Sequence, residues 1–138
     1  MQTGILIIAH APLASALRAC VLHIFPDASD SVAAFDVQPN ATPEDSLSGA
    51  ADLLATLKQA QTLIVTDLFG ATPCNVAQKL ISQHVRLIAG ANLPMLLRSV
   101  TCRQEPLDAL VTRALAGGAQ GVLPILDASL STQASLLP

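Results

Sequence analysis

Two side chains suited to handling a transferred group stand at the ends of apolar runs. His10 follows Gly4–Ala9, and Asp67 follows Thr62–Thr66. In an open parallel sheet, the reactive crevice lies beyond the carboxyl ends of the strands, where strand order reverses. With an order of 2-1-3-4, the first and third strands are neighbours, and His10 and Asp67 sit side by side. Such a pair suits phosphoryl transfer. One imidazole nitrogen attacks phosphorus while the other keeps its proton. A carboxylate accepting that proton's hydrogen bond fixes the tautomer and steadies the developing positive charge. Helices opening at Pro12 and Pro73 are expected to aim unpaired N–H groups into the same space, and the Thr72 hydroxyl adds a further donor. No metal is required for a phosphoryl group passing between two histidines.

The elements that must position these groups alternate in type. Gly4–Ala9 is a continuous β-branched and Leu run, the pattern of a strand buried on both faces. A helix is expected from Ala11-Pro12 to about Ile24, then a second strand over Val32–Val37. Thr42-Pro43-Glu44-Asp45 combines a capping hydroxyl, a first-turn Pro and two acids, and starts a helix predicted to reach about Gln59. The third strand is Thr62–Thr66. Thr72-Pro73 repeats the Thr-Pro pattern and is read as a second capped helix, reaching about Gln83. Val85–Ala89 is the fourth strand, and two helices follow, divided near Gln104–Pro106. Gly121–Ile125 contains Pro124 and is expected as a short C-terminal edge strand. The fold expected is therefore α/β, doubly wound, with a four-stranded parallel sheet and helices on both faces. Residues 1–126 form one expected domain, and 127–138 a loosely held tail.

Composition narrows the function. The chain has 138 residues, of which 51% are hydrophobic and only 12% charged, with no Trp or Tyr and three Phe. Mean hydropathy is +0.54 and the isoelectric point about 5.4. An acidic chain almost without aromatics is unsuited to nucleic acid. No apolar run approaches the 18 to 20 residues that cross a bilayer, and no basic start precedes Gly4–Ala9, so the reading is cytoplasmic. Three widely spaced cysteines suggest neither disulfides nor zinc. His23, His84 and Cys74 are read as structural. No GxGxxG or Walker loop follows a strand, which disfavours nucleotide and flavin binding. The surplus of apolar residues points to a subunit or partner interface.

Taken together, three segments carry a family resemblance. Ile7-Ile-Ala-His10, Asp67-Leu-Phe-Gly70-Ala71-Thr72-Pro73-Cys74-Asn75 and Gly90-Ala-Asn92-Leu-Pro94-Met95 occur in the order and at the distances seen in the mannose-type IIA component of the phosphoenolpyruvate:sugar phosphotransferase system (PTS). The sequence resembles that family over about Ile5 to Ile125. The resemblance implies that His10 is phosphorylated, that Asp67 is its partner, and that Thr72, Ala11, Gly70 and Ala71 surround the phosphoryl group. It implies no cofactor. It implies HPr as phosphodonor, a IIB component as acceptor, and a homodimer in which Gly121–Ile125 pairs with the other subunit. Ala11 and Ala71 stand where the family commonly has Gly. No IIB domain is expected within these 138 residues. That leaves open a regulatory IIA-like module, or a dihydroxyacetone-kinase phosphodonor module, as an alternative to a sugar-transport relay.

Overall fold

A computed structural model describes residues 2–126. Four strands, β1 (Thr3–His10), β2 (Val32–Val37), β3 (Gln61–Thr66) and β4 (Val85–Ala89), form one sheet in the order β2-β1-β3-β4. Every pairing is parallel, as the crossover helices require. Register sets the site directly. Ile8 lies opposite Thr66 of β3, so β1 runs two residues further and its last residue, His10, comes level with the start of the β3 exit loop.

Five helices cover the sheet: α1 (Leu13–Ile24), α2 (Pro43–Thr56), α3 (Thr72–Gln78), α4 (Leu93–Thr101) and α5 (Leu107–Gln120). Alternation along the strands divides the core in two. Ile5, Ile7, Ala9, Leu63 and Val65 face α1, α4 and α5. Leu6, Ile8 and Ile64 face α2 and α3, joined by Ala50, Val76 and Ala77. Ile5 to Ala9 are fully buried. At about 1.5–3 kcal/mol for each large aliphatic side chain, β1 alone anchors a substantial part of the fold. The aliphatic surplus of the sequence is thus largely accounted for by two cores on one sheet.

Several boundaries differ from expectation. α2 ends at Thr56, because Leu57 turns extended with φ −73° and ψ 125°. α3 ends at Gln78 rather than near Gln83. The chain beyond it turns, and Ser82 bridges to Val85 and accepts the His84 N–H on its Oγ at 3.1 Å. The C-terminal run is not a strand of this sheet. α5 continues to Gln120, and its end is held by Gly121 N–H to the Gly117 carbonyl at 3.0 Å. That contact keeps the chain at the helix end, so Val122–Leu126 leaves the fold with no ladder pairing among the described residues. The tail 127–138 lies outside the described residues. No helix among the described residues is long and apolar enough to cross a membrane.

Candidate functional site

The sheet brings His10 and Asp67 into direct contact. Nδ1 of His10 lies 2.7 Å from Asp67 Oδ2, and the same oxygen accepts the His10 backbone N–H at 3.0 Å. The other carboxylate oxygen accepts the Leu68 N–H at 2.9 Å. One carboxylate therefore fixes the ring, the end of β1 and the start of the following loop. Burial raises the Asp67 carboxyl. The His10 N–H, the His10 ring, the Leu68 N–H and the imidazole charge outweigh burial and hold it below the ordinary carboxylate range. An ionised carboxylate can only accept, so Nδ1 carries the ring proton and Nε2 keeps its lone pair. Asp67 is 9% exposed and the His10 ring 52%. The anchor is enclosed while the nucleophilic nitrogen faces solvent.

The oxygens of a transferring group find donors on one side only. Asp67 is followed by Gly70 with φ +88°, a left-handed turn open to glycine at little cost, and then by α3. The N-cap of α3 is Ala71 rather than Thr72, which is its first helical residue. Thr42 does cap α2, accepting the Asp45 N–H at 3.1 Å. Thr72 is exposed, and its hydroxyl has no partner among the described residues. Being inside the helix rather than before it, the hydroxyl is not engaged by the first turn and remains available. Thr72 also lines a cleft of about 160 Å³ with Glu44, Asn75 and Lys79.

The start of α1 does not supply donors as expected. Pro12 offers no side-chain cap, and the end of the helix is closed from β2 instead. Asp36 Oδ1 accepts the Ser15 N–H at 3.0 Å, and Oδ2 accepts the Ser15 hydroxyl. A carboxylate sitting there offsets the positive end of the helix and repels a second anion. The Ala11 N–H is engaged too, donating to the Val37 carbonyl at 3.0 Å. Asn92 caps α4, accepting the Met95 N–H at 2.9 Å and donating to the Gly118 carbonyl at 3.1 Å, which fits a loop-shaping residue. Asp36 is the residue that sequence reasoning missed. Its signal was a lone acid inside an otherwise apolar strand, Val32-Ala-Ala-Phe-Asp-Val37.

A family model described as EIIA-man, PTS system fructose IIA component, matches residues 4–115. The chain belongs to the EIIA-man family. Among EIIA-man relatives, the sorbose-specific EIIA component of Lacticaseibacillus casei is 31% identical over 119 residues, covering 80% of this chain and 82% of the relative. The mannose-specific EIIAB component of Escherichia coli is 34% identical over 64 residues, 44% of this chain but only 20% of that longer protein. The mannose/sorbose-specific IIA subunit from Enterococcus faecalis superposes with a TM-score of 0.83 at 25% identity, covering 92% of this chain and 97% of that one. The EIIA-man sheet order and the strand-end position of His10 are therefore features of a shared fold. Membership makes this chain a IIA component of the mannose family of the PTS.

Proposed function

We propose that the protein is a phosphohistidine carrier that accepts a phosphoryl group from HPr on Nε2 of His10 and passes it to a IIB-type partner. The observation that carries this reading is the pairing of an enclosed, ionised Asp67 with His10 Nδ1, which leaves Nε2 both nucleophilic and exposed. The Nε2 lone pair attacks phosphorus as the donor's P–N bond breaks. His10 keeps its Nδ1 proton, and the resulting phosphoimidazolium is steadied by the Asp67 carboxylate. Transfer onward reverses these steps, so an attachment of intermediate stability serves a relay.

The phosphoryl oxygens are assigned to the Thr72 hydroxyl and to the loop of Gly70 and Ala71, whose N–H groups have no partner among the described residues. Ala11, with its N–H already engaged, is left out of this cradle. The exposed run Val122–Leu126 is assigned to pairing with a second copy, in a homodimer acting in the cytoplasm. The relatives' printed mannose and sorbose specificities point to a sugar-transport relay.

The test is phosphorylation with phosphoenolpyruvate, the first enzyme of the system and HPr. Acid-labile, base-stable phosphate is expected on the wild type and none on His10→Ala. Absence of labelling, or label surviving in the variant, refutes the reading.

A further inference from the structure

The loop leading from Asp67 to α3 carries an apolar ridge that neither core uses. Phe69 is 77% exposed and Leu68 49%, and Leu13, three residues beyond His10, is exposed as well. The other two aromatic rings, Phe25 and Phe35, pack against the two cores. A ring in solvent forgoes the stabilisation that burial gives it, and an apolar cluster at a reactive group marks an interaction surface. The loop is also held. Leu68 N–H is bonded to Asp67, and Gly70 turns the chain into α3. The carboxylate that orients His10 thus fixes the base of the ridge.

Resting on the carrier reading above, we propose that Phe69, Leu68 and Leu13 form the docking ridge for the phosphodonor protein. That partner is a phosphocarrier whose own phosphohistidine is ringed by apolar, uncharged side chains. Two observations select this occupant. First, Nε2 sits on an exposed ring and lines neither described cleft. The larger, about 660 Å³, lies between α1, β2 and α2 and is lined by Arg18, Asp30 and Lys58 among others. The smaller reaches Thr72 but neither His10 nor Asp67. A free small phosphodonor has no enclosure at Nε2, so the donor must supply its own surface. Second, Ala11–Ala14 and Leu68–Pro73 contain no charged residue, so the complementary face is apolar rather than basic or acidic.

The transfer balances without a further reactant. Nε2 of His10 bonds to phosphorus, the donor's P–N bond breaks, and its electron pair returns to the donor ring. The donor leaves as neutral imidazole with its remaining ring proton, and His10 becomes the phosphoimidazolium.

The test compares two donors on Phe69→Ala and Leu68→Ala: the phosphorylated carrier protein, and phosphoramidate, a small molecule that phosphorylates imidazole and releases ammonia. For Phe69→Ala, KM for the protein donor is expected to rise about thirtyfold, the loss typical of an interface anchor, with kcat held. Phosphoramidate labelling is expected to keep the wild-type rate. Ile81→Ser is the control, because Ile81 is exposed but lies beside the start of β4, at the opposite end of the sheet. An unchanged KM in Phe69→Ala overturns the proposal. So does equal slowing with both donors, which places the ridge in the chemistry of His10, or a changed oligomeric state by light scattering, which makes it a subunit contact. If phosphoramidate fails to label His10 in the wild type, the carrier reading itself falls and the docking falls with it.

Discussion

Replacing Asp67 by Asn tests the chemistry with little change in shape. In the native site, Oδ2 accepts two N–H groups from His10 at 3.0 and 2.7 Å, and Oδ1 accepts one from Leu68 at 2.9 Å. An amide has one acceptor and one donor end. If its oxygen faces His10, the Leu68 N–H meets an NH2 group. If its oxygen faces Leu68, the NH2 meets the His10 backbone N–H and drives the ring to the Nε2–H tautomer, which has no lone pair for phosphorus. Either orientation leaves a backbone donor unpaired, at about 1–3 kcal/mol. The charge that steadies the phosphoimidazolium is lost as well. A hydrogen bond to a charged group contributes about 1.5–3 kcal/mol, so transfer is expected to slow roughly tenfold to a hundredfold. Rapid-quench measurement of transfer from phosphorylated HPr reads the rate, and nitrogen NMR of the ring reads the tautomer. An Asp67→Asn protein that transfers at the wild-type rate, with the Nδ1–H tautomer intact, refutes the reasoning.

Three further outcomes follow from the same geometry. Because the Asp67 carboxyl lies below its ordinary value in the fold, its contribution to stability is in place above about pH 4, near the unfolded value, and is lost as pH falls through the lowered folded value. Melting temperatures of the wild type are therefore expected to fall faster than those of Asp67→Asn between about pH 4 and 2; parallel curves contradict this. Asp36→Ala removes the tertiary cap of α1 and is expected to cost about 1 kcal/mol in urea unfolding, while phosphoramidate still labels His10. Gly70→Ala forces an L side chain to φ +88° where a Cβ meets no atom within 4 Å, so a cost of about 1 kcal/mol is expected from backbone conformation alone, and an unchanged urea midpoint would contradict it.

Much of the site was legible from strand ends. The apolar runs identify β1 and β3, parallel crossovers make them neighbours across the switch point, and His10 and Asp67 then meet without any further assumption. Thr42 was also readable as a cap, because its acids and Pro are local signals. The same Thr-Pro pattern misled at Thr72. There, Gly70 turns the chain one residue earlier and hands the cap position to Ala71. The closure of α1 by Asp36 was hidden for a different reason: it joins residues 21 apart in sequence, and pairing across the fold leaves no trace in local spacing. The Gly121–Ile125 run reads as a strand by composition, yet the hydrogen bonds at the end of α5 keep it off the sheet.

The central claim is that Asp67 holds Nδ1 and leaves Nε2 to take the phosphoryl group. Phosphorus and nitrogen NMR on ring-labelled, phosphorylated protein tests it directly. The account predicts a single phosphorus–nitrogen bond at Nε2 of His10 with the proton retained on Nδ1. Phosphate on Nδ1, or on any residue other than His10, would contradict it.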